Sequence, residues 1–234
     1  MTLQVLPLTG IEAVAPGQEI TEVLGNALER VTPVDGDVLV VTHKIVSKAE
    51  GRVVIVDGDE EVFKRRLVES EAVSIVRRRG DLIIAETEHG FICANAGVDF
   101  SNVGFGEEWV TTLPRDPQVS AEVLRRAIRT GFGVSVAVII NDTHGRPWRR
   151  GLTDIAIGVS GLEAIVDLKG TRDWAGRELE VTEIAVADEL ASAADLVMGK
   201  SSGIPAALIR GYEGPRGEGR GADLVRKPEE DLFR

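Results

Sequence analysis

Four segments of the chain have the apolar spacing or the composition of a helix. They are residues 17–31, 60–80, 117–131 and 183–200. Pro117 suits the first turn of the third helix, and Thr182 suits the N-cap of the fourth. We expect the second helix, which is strongly charged, to continue without a break to Gly80.

Short apolar runs bounded by turn residues predict strands between these helices. They are residues 3–7, 38–41, 134–140, 152–161 and 205–211, with a further pair, LIIAE and GFICAN, that flanks the tight turn EHG. Helices and strands alternate along the chain, so the pattern predicts a mixed fold of the α/β or α+β class. Residues 212–234 are rich in glycine and charge and predict a mobile loop and tail.

Polar and charged residues follow the predicted strand 134–140 at once, in the stretch INDTHGRPWRRG at 140–151. Asp142 would lie at the edge of the core, where sheets of this kind bind ligands. Asp99, in the loop AGVDFSN, is a second candidate for binding a divalent cation. For either residue alone, capping a turn is the commoner role.

Basic side chains extend this candidate chemistry. Arg146, Arg149 and Arg150 can bind phosphate or carboxylate, and Trp148 can stack on a flat ring. A salt-bridged turn with Trp148 covering the core explains the same residues equally well. Lys44 and Lys48, just past the strand VLVV, can meet phosphate, although a lysine is more often a simple surface residue.

The segment ADLVMGKSS at 194–202 is close to a phosphate-binding P-loop pattern. It lacks the first glycine, where Ala194 stands, and it leaves a predicted helix rather than a strand. A P-loop needs the opposite order, so we exclude a P-loop fold and keep only a flexible turn that offers amides and a lysine to an anion.

Composition narrows the class of protein. The chain has 234 residues, 43% of them hydrophobic, and can bury a substantial core as one large or two intertwined domains. A net charge of −11 argues against a general nucleic-acid binder. No apolar run is long enough to span a membrane and no secretory signal is visible, so we expect no membrane partner. Cys93 is the single cysteine, which favours a cytoplasmic location and a buried structural role.

Five longer motifs occur in a fixed order: LPLTGIEAVAPGQEI, VLVVTHKIVSKAEGR, AGVDFSNV, VIINDTHGRPWRRGLTDIAIGVSGL and VTEIAVADELASAADLVMGK. Together they resemble the coenzyme F420-0:L-glutamate ligase family, the gamma-glutamyl ligases of F420 biosynthesis. The resemblance implies a ligase domain over 1–211, with 212–234 as a C-terminal tail. It also implies a family-specific fold that is neither P-loop nor ATP-grasp, and an intertwined homodimer.

The family's reaction implies the substrates. GTP phosphorylates the terminal carboxylate of F420-0, and L-glutamate attacks the acyl phosphate to give F420-1, GDP and phosphate, with further gamma-linked glutamates as an extension. The resemblance also implies Mg²⁺ or Mn²⁺, with two ions expected, and K⁺. Two alternatives stay open: a module that binds GTP or F420 without catalysis, and a related ligase with another acceptor.

The resemblance assigns roles to matching positions. Asp99 and Asp142 are the expected catalytic carboxylates that hold metal, with Thr143 as an adjoining metal ligand. The expected GTP-binding residues are Ile11, Glu12, Ala13, Val14, His43, Lys48, Asn102, Gly199, Lys200, Ser201, Ser202 and Gly203. Arg146, Trp148 and Arg149 are the expected substrate residues. His43, His144 and Lys200 depart from the usual pattern; Lys200 stands where some members place a metal-binding Glu or Gln.

Overall fold

A computed structural model describes residues 2–100 and 109–232 of the chain. The helices are α1 Ile20–Val31, α2 His43–Ala49, α3 Glu60–Glu71, α4 Pro117–Phe132 and α5 Val186–Met198. The strands are β1 Gln4–Pro7, β2 Val38–Thr42, β3 Val53–Ile55, β4 Ala72–Arg79, β5 Leu82–Thr87, β6 Ile92–Ala94, β7 Trp109–Thr111, β8 Ala137–Arg146, β9 Arg149–Ser160, β10 Val166–Asp167, β11 Glu183–Ile184 and β12 Ala206–Arg210. Single 3₁₀ turns occur at Asn95–Gly97, Gly221–Leu224 and Pro228–Glu230.

The largest sheet has five strands in the order β1-β12-β2-β8-β9. Its β2 and β8 strands pair in parallel, and the other neighbours are antiparallel. Helices α1 and α4 cover one face, where Leu39 and Val41 point, and α5 covers the other, where Val38 and Val40 point. A strand buried on both faces needs apolar residues at successive positions, which explains the run VLVV.

A smaller unit, built from α3, the β3–β7 pair and the three-stranded sheet β4-β5-β6, has its own apolar core. This core includes Val68, Ile83, Ala85, Val98 and Val110. The predicted mixed class is therefore confirmed, with one large sheet between helices and smaller antiparallel sheets beside it. Among the described residues, no helix combines the length and apolar character needed to cross a bilayer.

The prediction of one helix over 60–80 was wrong. Helix α3 ends at Glu71, and residues 72–79 form strand β4, which pairs with β5 across a turn where Gly80 has a φ of 58°. Val73, Ile75 and Val76 are β-branched and fit a pleated surface better than a helix. Cross-strand pairing with LIIAET therefore outweighed the helical tendency of the charged residues around them.

Two element boundaries also differ from the predictions. Strand β8 does not end at Ile140 but continues to Arg146, because β9 pairs with it along the whole polar stretch. Thr182 does not cap a helix: it precedes the short strand β11, and α5 begins at Val186 after an N-cap residue, Ala185, whose side chain makes no cap bond. Helix α5 is stabilised by packing on the sheet instead.

The C-terminal segment is not the free loop that its composition predicts. Gly219 donates its backbone N–H to Leu162 O at 3.0 Å, and both Gly219 and Gly221 are buried. A methyl group at Gly221 would overlap the carbonyl of Ile157, so glycine lets this segment lie directly against β9. Many other residues of the segment face solvent, among them Leu232, which is 85% exposed.

The contact between β9 and α4 gives a test of the fold. A methyl group at Gly158 would overlap the carbonyl of Pro117, so we expect Gly158→Ala to lower the free energy of unfolding by about 1–3 kcal/mol. Gly131, on the exposed side of α4, has open space around its Cα, so Gly131→Ala should raise the free energy of unfolding by up to about 1 kcal/mol. Urea denaturation measures both, and equal effects of the two variants would contradict the close packing.

Candidate functional site

A cavity of about 760 Å³ opens where the large sheet meets the smaller unit. Strand β2 ends there at Thr42, whose N–H donates to Pro205 O at 2.9 Å, just before β12 begins. Strand β8 passes beside it, with Asn141 in register with Thr42. Ala94 at the end of β6 and the segment 95–100 also line the cavity, as do β9 and the segment from α5 to β12. Segments far apart along the chain therefore contribute to one cavity.

A β-bulge sets the direction of the polar side chains on β8. Ile140 pairs with Gly158 and Asn141 with Ala156, so Ile157 is an extra residue on β9. Bulges re-aim the side chains that follow them and are common beside active sites. After this one, Asn141 and Thr143 point toward Asp154, while Asp142 points toward His43, as the alternation of a strand requires.

Asp142 lies between two imidazoles. His43 Nε2 is 3.2 Å from its Oδ1, and His144 Nε2 is 3.2 Å from its Oδ2. Burial alone would raise the pKa of Asp142, but the charge and hydrogen bonds of His43 and His144 outweigh it and hold that pKa well below the usual range. Asp142, whose side chain is 14% exposed, is therefore a carboxylate that stays ionised at neutral pH.

The negative charge of Asp142 also acts on Cys93 in β6. Burial, followed by the Asp142 carboxylate, raises the pKa of the Cys93 thiol to about 12. Cys93 is 6% exposed, so the prediction of a buried structural cysteine is confirmed. A thiol in these surroundings stays protonated and is a poor nucleophile at neutral pH.

Asp99 is held by a turn with an uncommon backbone. Asn95, Ala96 and Gly97 all have positive φ, between 51° and 70°. Left-handed conformations cost energy in residues other than glycine and cluster at functional sites. Asp99 then forms a two-bond bridge with Thr111, and its carboxylate Oδ2 lies 2.7 Å from Lys44 Nζ.

Lys200 lies in a third polar cluster of the cavity. Its ammonium donates to Asp154 Oδ1 at 2.6 Å and to Thr143 Oγ1 at 2.8 Å, and it pairs with Asp195 Oδ1 at 2.7 Å. Asp154 itself is buried and also accepts from Asn141 Nδ2 at 2.5 Å. Burial would lower the pKa of Lys200, but hydrogen bonds with Asp154 and Asp195 raise it.

The structure brings eight of the sequence-predicted residues together around this cavity. Those that line it are Asp99, Asp142, Thr143, His43, Gly199, Lys200, Ser201 and Gly203. Ser202 lies in the same turn and donates its hydroxyl to Met198 O. Asn102 lies outside the described residues. The turn over 199–203 follows helix α5 and precedes β12, so this segment is not a P-loop, as expected.

Other predicted residues lie away from the cavity lining. In the described part of the chain, Ile11–Val14 pass beside α2 and contribute Val14 to the main core, while Glu12 and Ala13 are exposed. Lys48 is buried in α2, and burial followed by the nearby charge of Lys44 lowers its pKa.

Arg146, Trp148 and Arg149 occupy the exposed tip of the β8–β9 hairpin. Arg146 Nη2 donates to Arg150 O at 2.8 Å, and Trp148 is 80% exposed. Trp148 therefore does not cover the core. A flat or anionic partner that contacts these residues would have to extend from the cavity along the hairpin.

Sequence reasoning missed Asp154 and Asp195. Asp154 stands inside the predicted strand LTDIAIGVSG, and a lone carboxylate in an otherwise apolar strand was the available signal that it is buried with partners. Asp195 lies on α5 among alanines, and nothing in its neighbourhood along the chain marks it. Its contact with Lys200 depends on how α5 packs against the sheet.

Asp99 and Asp142 line the same cavity and carry the kind of ligand that a divalent cation would use. Carboxylate oxygens are the ligands that Mg²⁺ and Mn²⁺ prefer, and one or two carboxylates suffice when water and phosphate fill the remaining positions. Within residues 2–100 and 109–232, no three His, Cys, Asp or Glu side chains form a metal-binding group. Asp99 and Asp142 therefore suit an ion that phosphate oxygens also bind, and Lys44 would have to yield to it.

Comparison with known proteins points in one direction. The profile of a family described as F420-0:Gamma-glutamyl ligase matches residues 10–211. A coenzyme F420:L-glutamate ligase of Methanothermobacter thermautotrophicus is 44% identical, with all of both chains aligned. A protein of the same name from Methanocaldococcus jannaschii is 46% identical over 86% of this chain and 85% of its own length. Another, from Methanopyrus kandleri, is 42% identical over all of this chain and 98% of its own length.

Cys93 can report the charge of Asp142. We expect iodoacetamide to label the native chain appreciably only at strongly alkaline pH, because the pKa of Cys93 is about 12. Asp142→Asn should move the labelling profile to lower pH, since it removes the second cause of the shift, yet leave the pKa above the usual value because burial remains. Asp167→Asn, in the exposed strand β10, is the control. Identical profiles for the wild type and Asp142→Asn would contradict the assigned contact.

Proposed function

This chain belongs to the F420-0:gamma-glutamyl ligase family, and because it is a ligase by that membership we propose that it joins L-glutamate to coenzyme F420-0 with GTP as co-substrate. The observation that carries the proposal is the cavity itself. It presents the carboxylates of Asp99 and Asp142 beside the ammonium groups of Lys44 and Lys200. A nucleoside triphosphate binds as a complex with a divalent cation. It therefore needs carboxylates for the cation and lysines for the phosphate groups.

The chemistry requires activation of a carboxylate. The terminal carboxylate of F420-0 attacks the γ-phosphorus of GTP, and the bond to the β-phosphate oxygen breaks to release GDP. The amine of L-glutamate then attacks the acyl phosphate, loses a proton and expels phosphate, which leaves an amide in F420-1. Phosphoryl transfer depends mainly on positioning and on neutralising charge, so no nucleophilic serine or cysteine is needed.

In this proposal Asp99 and Asp142 hold Mg²⁺ or Mn²⁺. When bound, the cation neutralises charge on the phosphate oxygens and aligns them with the attacking carboxylate. Lys44 and Lys200 add positive charge at the same cavity. His43 and His144 orient Asp142 and hold it ionised, and each would have to give up its contact with the carboxylate oxygen that binds the cation. We also expect K⁺ to assist.

We assign GTP and F420-0 to different sides of the cavity. We assign nucleotide binding to the turn 199–203, to His43 and Lys48 on α2, and to Asn102. Ile11–Val14 belong to the same proposed nucleotide surface, since Gly17, a few residues on, is hydrogen-bonded to Lys48 O at 3.1 Å. The deazaflavin ring and phosphate of F420-0 then lie toward Arg146, Trp148 and Arg149, where a stacking ring and guanidinium groups are exposed.

The proposed enzyme is a homodimer. Trp148, Trp174, Val181 and Leu196 are each at least 80% exposed, which is costly for large apolar side chains in a monomer that acts alone. They lie on the hairpin tip, on the segment around β10 and β11, and on the outer face of α5.

The ligase proposal is tested by product formation. Incubation of the purified chain with F420-0, L-glutamate, GTP and Mn²⁺ should yield a product heavier by one glutamyl unit, with GDP released over many turnovers only when all four are present. Mass spectrometry detects the product, and replacement of GTP by ATP measures nucleotide preference. Absence of glutamylated product from folded protein counts against the proposal, and turnover of a different carboxylate acceptor alone would redirect it.

Two variants test the site. Asp99→Asn and Asp142→Asn should each lower kcat/KM by about 100-fold or more, because each loses the charge that holds the cation. Asp167→Asn, with the same chemical change at an exposed position on β10, should keep full activity. Thermal melting must show that the variants are folded, and full activity in folded Asp142→Asn would refute its role.

Light scattering tests the dimer. The wild type should elute with the mass of two chains of 25.1 kDa. A double change of Trp174 and Leu196 to Ser should shift it toward the monomer if these side chains are at the interface. A wild-type chain that is monomeric at assay concentrations would contradict a dimeric enzyme.

A further inference from the structure

Lys200 makes an unusual set of contacts for a residue of an exposed turn. Its side chain is 52% exposed, yet its ammonium contacts three oxygens, one each from Thr143, Asp154 and Asp195, all within 2.8 Å. Most surface lysines point into solvent, because an ordered ion pair loses side-chain entropy for little gain. Here the three partners come from β8, β9 and α5, so they form a preformed set of oxygen ligands.

The Thr143 hydroxyl is already engaged by a negative and a positive group. It donates its proton to Asp154 Oδ1 at 2.7 Å and accepts a hydrogen bond from Lys200 Nζ at 2.8 Å. A divalent cation on Thr143 would lie beside the ammonium and be repelled by it. Thr143 therefore does not fit the role of a metal ligand while Lys200 keeps this position.

The Asp154 carboxylate is occupied as well. Oδ2 accepts from Asn141 and Oδ1 accepts from both Thr143 and Lys200. Asp154 is 3% exposed, and a buried carboxylate without a positive partner is strongly unfavourable. Some cation must therefore balance Asp154 in the folded chain, and Lys200 supplies it.

We propose that the Lys200 ammonium is a built-in cation that occupies the oxygen cluster of Thr143, Asp154 and Asp195, so that the cavity takes one divalent ion instead of two. The remaining ion lies on the Asp99–Asp142 side, which is separate because Asp142 points away from Asp154 along the strand. This inference deepens the proposed function, on which the Asp99–Asp142 ion rests.

Counting bound Mn²⁺ tests this inference. Electron paramagnetic resonance of free Mn²⁺ gives the number of ions per chain during titration in the presence of saturating GDP. We expect one ion in the wild type and two in Lys200→Ala, whose freed carboxylates and hydroxyl accept a second ion. Lys200→Arg keeps the charge and should behave like the wild type. Lys169→Ala removes a lysine that also pairs with two carboxylates, Asp167 and Glu183, but outside the cavity, and should bind one.

Each result has a defined meaning. A gain of one ion in Lys200→Ala over the wild type supports the built-in cation, and no gain, or two ions in the wild type, overturns it. If the wild type binds no ion and Lys200→Ala binds one, the built-in cation at Lys200 is supported, but the Asp99–Asp142 site of the proposed function is contradicted. If Lys200→Ala unfolds, Lys200→Gln takes its place, because glutamine keeps a hydrogen-bond donor for Asp154. If both variants unfold, the number of Mn²⁺ ions bound by the wild type decides by itself.

Discussion

The parallel pairing of β2 with β8 is the constraint on which the site depends. The register that sets Val38 opposite Ala137 also sets Thr42 opposite Asn141, so the end of one strand lies beside the polar stretch of the other. His43 then begins α2 within reach of Asp142. Eight of these ten paired residues are apolar and buried, and slipping one strand by one residue would turn its side chains toward the opposite helix layer and disrupt their packing. The packing of the core thereby fixes where the carboxylate lies.

Charge balance is the second condition, and it follows from burial. Four carboxylates of the described chain line the cavity, and each has a basic neighbour: Lys44 for Asp99, the two histidines for Asp142, and Lys200 for both Asp154 and Asp195. At Asp142, burial without the two histidines would raise the pKa and favour the protonated acid. The same arrangement makes the site selective, because a ligand must interact with a carboxylate at least as favourably as the basic side chain that it displaces. A divalent cation with a bound phosphate can do so at Asp99, where the partner is a flexible lysine.

Several features of the fold were predictable from local patterns. The apolar run 38–41, the helix opened by Pro117 and the candidate Asp142 all follow from residues adjacent in sequence. The segment 72–79 was not predictable in this way, since its strand character depends on pairing with β5. The extension of β8 through Asn141–Arg146 likewise depends on pairing with β9, and the polar residues of this stretch do not indicate a strand. Local signals therefore failed where a partner strand decided the conformation.

The same distinction applies within the site. Asp142 and Asp99 can be identified from the sequence as candidate site residues, because carboxylates in polar or Gly-flanked stretches are candidates for cation binding. The role of Lys200 has no local signal: it depends on Asp154, which is 46 residues earlier in the chain, and on Asp195, which lies in the last turn of α5. In sequence, a lysine and a metal-binding acid at position 200 differ in the sign of their charge. In the folded chain either residue would place a positive charge beside Thr143, because an acid would bind a metal cation there and the lysine ammonium is itself a cation.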